Sequence, residues 1–393
     1  MADQEHSPST SRSATLDILR AIAIFLVLGR HLRPCASWVS HILSDLGLLW
    51  VAGGWTGVDL FFVLSGFLIS GLLFKEHARN GSISFKRFFI RRGFKIYPAF
   101  YVMVAVSLCV LLISGTPVPL SKVLEELFFL QNYGTGGFWT HEWSLAIEEH
   151  FYIFLPILLI VIAGRNRNST NPFRLIPSLF VAIALVCLSL RVYITAAQPF
   201  TSLTHLFPTH LRIDSLFFGV VISYYYHYNS AQFRRFARRF RPVLLVLGAL
   251  AFVPAFTMRL DTEVFVPTVE LTLLYLGGGL IVVAVAGWEP KLNKFTKAIA
   301  FVGSRSYSIY LWHLPFHEAI VVRYLAFNWY TYAVSYLAGS IVIGIVMYRL
   351  VEYPALKIRD RVFPGMGTAA ASPSLSAGTP LPTYGILNGS QLP

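Results

Sequence analysis

Two ionisable side chains interrupt the first apolar stretch of the chain at a spacing suited to chemistry inside a membrane. Arg20 and His31 lie eleven positions apart, which at about 100° per residue brings both to one face of a helix, about 16 Å apart along its axis. A charged group at mid-bilayer costs roughly 2.5–3.5 kcal/mol, so such residues usually mark a pathway or a site. We predict that a neutral His31 removes a proton from a hydroxyl. The Arg20 guanidinium is predicted to bind an anion, to pair with Asp17, or both.

Two carboxylates begin further apolar segments and are candidates to work with this histidine. Asp59 stands at the start of the second segment, where it would orient a histidine, pair with an arginine or cap the helix. Glu148 stands four residues after Ser144 and four before Tyr152, so the three share one helix face. From that face Glu148 would orient His31 across the bundle or receive a proton.

Further candidates lie at polar interruptions of the later segments. The pair Arg91 and Arg92 ends a basic run dense enough to hold the phosphates of a donor such as coenzyme A. The positive-inside pattern and anionic lipid would explain the same charges. Arg212 and Asp214 predict an internal ion pair, and His313, next to a helix-bending proline, is a further site candidate.

The composition is that of a membrane protein, since 55% of the residues are hydrophobic and 13% are charged, against about 25% charged in soluble domains. Ten apolar segments of near-spanning length predict an all-α integral membrane bundle of about ten transmembrane helices. The predicted spans are 16–33, 52–74, 96–115, 143–163, 174–197, 211–228, 242–258, 264–286, 304–322 and 330–351. Small residues in the second span predict close helix packing. They are Ser65, Gly66, Ser70 and Gly71.

The distribution of basic residues predicts the orientation. Loops at one alternating set of segment ends carry 22 Lys and Arg residues, and loops at the other set carry 3. Because cytoplasmic loops are enriched in these residues, both termini are predicted to be cytoplasmic. The same pattern accounts for the net charge of +13, so we expect no nucleic-acid partner.

The chain is predicted to have three parts: a polar segment 1–15 without the pattern of a cleaved signal peptide, a membrane domain 16–361, and a disordered tail 362–393. In the loop 116–142, apolar residues at helical spacing predict an amphipathic helix along the interface. No cysteine pair has the spacing of a metal site, so we expect no metal.

Together these strings resemble the acyltransferase 3 family of integral membrane proteins, which modify bacterial cell-surface carbohydrates. The similarity covers roughly residues 15–361, with the motifs in the expected order. They are Arg20 with His31; Gly57 to Phe67; Arg91, Arg92 and Pro98; Trp143 to Tyr152; Arg212 with Asp214; Ser306 to Pro315; and Glu352 with Pro354. His150 stands where members often carry glutamine. No hydrolase-like domain follows the last segment, so we expect members with such a domain to be poor guides to the acceptor.

The resemblance implies that an acyl group, most often acetyl, passes from an acyl-CoA co-substrate to a hydroxyl of a glycan or glycolipid at the bacterial inner membrane. In this hypothesis Arg20, Arg91 and Arg92 hold the anionic part of the donor. His31 is the general base, and Glu148 or Asp59 fixes its tautomer. The partners are membrane lipid and the acceptor. Other candidate site residues are Trp143, Ser144, Tyr152, Arg212, Asp214 and His313.

Two alternatives stay open from the sequence. Transfer of succinyl to a periplasmic glucan would be favoured by a cation in the pocket for the extra carboxylate, and Arg191 and Arg305 are the candidates. A carrier that moves acyl groups or glycolipids without transferase chemistry would use intramembrane charges equally well.

Overall fold

The computed structural model describes residues 13–33, 41–166, 169–325 and 328–364. Most of the polar segment predicted at 1–15 and nearly all of the tail predicted at 362–393 lie outside these residues. Within the described ranges the chain is helical and contains no β-strand, as the apolar periodicity predicts. The membrane domain predicted over 16–361 is therefore an all-α assembly in its described part.

Sixteen α-helices occur in the described part of the chain. The first eight are α1 (Ala14–Arg30), α2 (His41–Gly53), α3 (Gly57–Asn80), α4 (Phe85–Ile113), α5 (Leu120–Leu127), α6 (Trp143–Arg165), α7 (Ile176–Ala197) and α8 (Ser202–His205). The remaining eight are α9 (Ile213–Tyr228), α10 (Ser230–Leu250), α11 (Val253–Thr257), α12 (Leu271–Val285), α13 (Lys294–Gly303), α14 (Ser306–Phe316), α15 (Trp329–Met347) and α16 (Tyr353–Val362). Three short 3₁₀ turns and three π-helical segments join them.

Seven helical stretches among the described residues are long and apolar enough to cross a membrane. They are Asp45–Asn80, Phe85–Ile113, Thr140–Arg165, Ile176–Ala197, Ser230–Thr257, Val266–Val285 and Trp329–Val362. Each of the ten predicted spans overlaps a helix, but α1 and α9 have only 17 and 16 residues. The chain is therefore a multi-pass membrane protein, while the number ten and the side of the termini stay predictions.

Close packing of α3 against α9 forms the centre of the bundle. A Cβ atom at Gly66 would lie 1.8 Å from the carbonyl oxygen of Leu216, and one at Gly219 would lie 2.3 Å from that of Val63. The two helices can touch at this distance only because both positions are glycine, which confirms the packing expected at Gly66. Large apolar side chains fill the space around the crossing. They include Phe62, Phe100, Phe151 and Phe217.

A tight turn between α3 and α4 fixes the direction in which the basic first half of α4 enters the bundle. Gly81, after the last residue of α3, has a φ of 70°, a left-handed conformation that glycine adopts at low cost. Ser84 then caps α4, because its hydroxyl accepts a hydrogen bond from the backbone N–H of Arg87 at 3.3 Å. Consecutive helical residues point about 100° apart, so Arg91 and Arg92 face different neighbours.

The two ends of the bundle differ in the polar residues they carry. We call the end that holds the start of α1, the end of α3 and the start of α4 the basic end. There Thr15 donates to the carbonyl of Trp288 at 3.0 Å, and Arg241 donates to that of Ala284 at 3.0 Å. We call the opposite end, where α1 finishes and α6 begins, the histidine end. Its short helix α5 exposes Leu120 and buries Glu126, so the predicted amphipathic helix is present but turns one acid inward.

Candidate active site

A cavity of about 130 Å³ opens among α1, α3, α4, α6 and α14. Its polar lining residues come from all five helices and from the turn before α14. They are Arg20, Ser65, Arg92, Lys95, Ser144, Glu148, Ser304, Ser306, Tyr307 and Tyr310. Apolar side chains of α3 complete the wall, including Val58, Phe61 and Phe62. An apolar pocket with a few convergent polar groups is the usual form of a small-molecule site.

Three cations face this cavity, and each is held by a neighbour. The Arg20 guanidinium lies 2.5 Å from the Asp17 carboxylate, three residues earlier on α1. Arg92 donates to the Tyr152 hydroxyl and lies over its ring, with 4.2 Å between the guanidinium carbon and the ring centroid. Lys95 pairs with a carboxylate of the π-helical segment that leads into α16. The predicted local pair of Arg20 is thus present, and the side chain still lines the cavity.

Arg91 occupies a different environment from Arg92. Its guanidinium donates to the carbonyl of Phe363 and lies 3.4 Å from the Asp360 carboxylate, both near the end of α16. It is not among the described residues that line the cavity. The structure therefore separates the two arginines that the sequence grouped as donor-binding.

Glu148 projects into the cavity between the arginines. Its carboxylate lies near the hydroxyls of Ser65 and Tyr152, and the charges of Arg92 and Arg20 act on it. Those two hydroxyls hydrogen bond to each other at 2.5 Å, so Ser65 faces the site rather than serving only as a small packing residue. The shared face predicted for Ser144, Glu148 and Tyr152 is therefore directed at the cavity.

Three histidines lie together beyond the cavity, at the histidine end. The rings of His31 and His313 have centroids 5.2 Å apart, and those of His313 and His141 lie 4.8 Å apart. The Nδ1 atom of His313 lies 2.5 Å from the carbonyl oxygen of Tyr310, which can only accept a hydrogen bond, so Nδ1 carries the proton. The Nε2 atom of this ring has no hydrogen-bond partner among the described residues, so it can accept a proton.

Two hydroxyls connect the cavity with this histidine cluster. Tyr310 and Ser144 both line the cavity, and their oxygens lie 2.6 Å apart. The Tyr310 hydroxyl donates to the carbonyl oxygen of His141 at 2.8 Å, and its ring centroid lies 5.1 Å from the His141 ring. A group bound in the cavity against Ser144 would therefore lie next to the histidines.

The end of α1 is held by α15, and this fixes His31. The helix ends at Arg30, three residues earlier than the predicted span, and His31 is its C-terminal cap. The Tyr332 hydroxyl donates to the His31 carbonyl at 3.3 Å and lies 2.9 Å from Nε2 of His317. The described ring contact of His31 is with another histidine, His313, and neither Glu148 nor Asp59 contacts the His31 ring. The prediction that one of these acids orients His31 is therefore wrong.

Asp59 belongs instead to a group that we call the buried ion-pair network. It pairs with Arg212 at 2.5 Å, and Asp214 pairs with Arg191 at 2.9 Å. All four side chains are at most 1% exposed. The Arg212 guanidinium lies 5.6 Å from the centroid of the Trp143 ring, so Trp143 covers this network rather than the cavity. The ion pair predicted between Arg212 and Asp214 is wrong, and of the three alternatives for Asp59 the arginine partner is the one formed.

The cations proposed for a succinyl group do not line the cavity. Arg191 is fully buried in the network, where it also donates to the Thr272 hydroxyl at 2.9 Å. The Arg305 guanidinium lies over the Phe301 ring at 3.4 Å from its centroid and donates to the carbonyl of that residue. The positions of these two arginines therefore do not favour a succinyl donor over an acetyl donor.

The sequence did not single out His141, Ser65, Lys95 or Tyr310 as site residues. His141 stands two residues before the Trp143-Ser144-Leu145 motif. Its position as a polar residue just before that helix is the one local feature that could have indicated a role. His150, whose role the sequence left open, lies apart from the cluster, with Nδ1 2.7 Å from the Thr209 hydroxyl.

Comparison with known proteins gives one family and several relatives. The family model described as "Acyltransferase domain" (Acyl_transf_3) matches residues 13–349. The chain is similar to peptidoglycan O-acetyltransferase OatA of Listeria monocytogenes, with 27% identity over 373 residues, 87% of this chain and 56% of that protein. It is also similar to O-acetyltransferase OatA of Staphylococcus aureus, with 26% identity over 380 residues, 88% of this chain and 58% of that protein. The chain thus spans little more than half the length of these relatives. No solved structure gives a significant match.

Proposed function

The chain belongs to the acyltransferase 3 family, and from this premise we propose that it is a membrane O-acetyltransferase acting on a cell-surface glycan. The donor in this proposal is acetyl-CoA, and the acceptor is a sugar hydroxyl. Peptidoglycan is the first acceptor to test, because the name of the Listeria relative specifies it. We place the chain in the bacterial plasma membrane with its basic end in the cytoplasm, because the positive-inside rule favours that side for Lys- and Arg-rich loops.

The donor is proposed to enter from the basic end. Arg20, Arg92 and Lys95 line the cavity there, and charged donors of this kind bind phosphate oxygens strongly. Their protein partners hold the three cations in place at the cavity wall. The thioester would then point along the cavity toward Ser144 and Tyr310.

The acceptor is proposed to enter at the histidine end, where His31 acts as general base. The imidazole takes the proton of the sugar hydroxyl while the hydroxyl oxygen attacks the thioester carbonyl carbon. The carbon–sulfur bond then breaks, the leaving thiolate takes the proton back from the His31 imidazolium, coenzyme A departs as the thiol, and the acetyl ester remains on the sugar. The observation that carries this proposal is the continuity from the cations to the histidines through the contact of Ser144 with Tyr310.

Acetyl transfer by the purified full chain tests the proposal. In detergent or nanodiscs, with acetyl-CoA labelled in its acetyl group and soluble peptidoglycan fragments, the wild type should form labelled ester. The variant His31→Ala should lose about 10²- to 10⁴-fold in rate, because it removes the general base. His210→Ala is the matched control, since His210 lies outside the cluster and bonds Tyr133 at 3.1 Å. Transfer at the wild-type rate by folded His31→Ala would refute the base assignment.

A further inference from the structure

The loop that leads into α6 holds two buried carboxyl groups that the proposed transfer does not use. Glu126 lies on α5, and Glu142 ends the 3₁₀ turn Thr140–Glu142. Both residues are 0% exposed. No cation among the described residues forms an ion pair with either carboxyl, although the nearest charged residues on α5 include Lys122 and Glu125. Two carboxyl groups buried without a cation require another explanation, since an ionised carboxylate is costly to remove from water.

The backbone between the two acids passes through a narrow space between them. The N–H of Phe138 donates to Glu126 Oε1 at 2.7 Å, and the N–H of Trp139 donates to Glu142 Oε2 at 2.9 Å. Gly137 has a φ of 88°. A Cβ atom there would lie 2.6 Å from the first of these oxygens and 2.7 Å from the second. The loop is therefore held by one oxygen of each carboxyl group, and only glycine fits between them.

The two carboxyl groups are close neighbours, because one oxygen of each lies within 2.7 Å of the same Cβ position at Gly137. The other oxygens, Glu126 Oε2 and Glu142 Oε1, are buried and have no hydrogen-bond partner among the described residues. Two ionised carboxylates so close together without a cation would repel each other. A proton on one of the two groups removes that repulsion and allows it to donate to the other.

We propose that Glu126 and Glu142 share one proton and that this acid pair positions His141 in the histidine cluster. His141 directly precedes Glu142, and its carbonyl oxygen receives hydrogen bonds from Tyr310 and Ser144 at 2.8 Å and 3.2 Å. The link to the histidine cluster rests on the proposed function, whereas the shared proton does not. Both glutamates are positioning residues, because they act through the loop and the described contacts do not bring them to the cavity.

The shared proton makes closure of the loop depend on pH. Burial raises the pKa of the Glu126 carboxyl, and the bond with Glu142, the Phe138 N–H and the Lys122 charge oppose this only in part, while Glu125 reinforces it. In this proposal the closed loop retains its shared proton to a higher pH than an opened loop, whose two exposed carboxyl groups have ordinary pKa values near 4.3. Because the closed state binds more protons, raising the pH favours opening by up to tenfold per pH unit above the pKa of the pair.

Hydrogen–deuterium exchange of the full chain in nanodiscs tests this proposal without any transferase assay. The backbone amides of 128–142, corrected for the intrinsic exchange rate, should open progressively more between pH 6 and pH 9 in the wild type. In Glu142→Gln the amide donates permanently to Glu126, so opening should not change with pH. The control Glu125→Gln removes the 2.7 Å bonds from Thr135 and should open more at every pH, but it should keep the pH dependence of the wild type, because Glu126 and Glu142 both remain. Opening that is independent of pH in the wild type would overturn the proposal.

A second measurement covers the case in which a variant fails to fold. The infrared spectrum of the wild type should contain a protonated-carboxyl contribution near neutral pH that Glu126→Gln and Glu142→Gln each lack, as seen in difference spectra of wild type minus variant. Difference spectra of both folded variants without a lost protonated-carboxyl band would show that the pair holds no proton. Neither experiment measures acetyl transfer. A negative result for the shared proton would therefore not contradict the proposed activity, and a negative transfer assay would not contradict the shared proton.

Discussion

Two regions of buried charge in this bundle look alike in the sequence but differ in their surroundings. In the buried ion-pair network every charge has an opposite partner, and aromatic rings such as Trp143 cover it. In the cavity, Arg20, Arg92 and Glu148 face an open space of about 130 Å³. An intramembrane charge therefore indicates a site only when space lies beside it, because a charge enclosed by partners has no room for a ligand. The comparison assigns a structural role to the network and a binding role to the cavity.

The largest expected effect comes from breaking the network. Asp59→Ala leaves the Arg212 guanidinium buried without its partner, which should reduce the free energy of unfolding by about 3–5 kcal/mol. The double variant Asp59→Leu/Arg212→Met replaces both charges by apolar groups and should recover most of that loss. Thermal unfolding in one detergent measures both. A single variant as stable as the wild type, or a double variant no more stable than the single one, would contradict the structural role.

The network also shows where sequence reasoning failed. Arg212 and Asp214 stand two residues apart, and that adjacency suggested a pair. Residues at this spacing do not face each other on a helix, so each finds its partner on another element, Asp59 of α3 and Arg191 of α7. Such partners depend on how helices pack, which a single sequence does not contain. The pairing of His313 with His141 was missed for the same reason.

Other features were predicted well because they have local causes. The length of each apolar segment predicted the helices. The glycine at position 66, which has no Cβ atom, predicted close packing of α3, and the structure has it against α9. Arg20 reached the cavity as expected from its helix face. The end of α1 was predicted less well, because contacts from Tyr332, about 300 residues away, help to set the position of its last turn.

A smaller effect is expected on the cavity side of the comparison. Arg92→Gln should raise the KM for acetyl-CoA about 10- to 100-fold, since a hydrogen bond to a charged group contributes about 1.5–3 kcal/mol. Arg91→Gln, one residue earlier, should change it less than about twofold, because Arg91 contacts Phe363 and Asp360 instead. Initial rates at varied acetyl-CoA concentration separate the two variants. An equal rise in KM for both would show that the donor binds the whole basic segment.

The smallest expected effect concerns α3, the helix that contributes to both regions. Gly66 lies next to Ser65 of the cavity, and a methyl group there would overlap the Leu216 carbonyl of α9, so Gly66→Ala should force α3 away from α9. We expect a loss of about 1–3 kcal/mol in unfolding free energy, the usual cost of overpacking, together with a slower transfer as Ser65 shifts.

Gly71→Ala is the matched control on the same helix. Its Cβ atom would lie 3.1 Å from Nε2 of His227 and 3.3 Å from the Ser223 hydroxyl, which are side-chain ends that can move. It should therefore cost less stability than Gly66→Ala and leave transfer unchanged, as measured by thermal unfolding and initial rates. If the two variants lost equal stability, the close crossing at Gly66 would not be what fixes α3 between the network and the cavity.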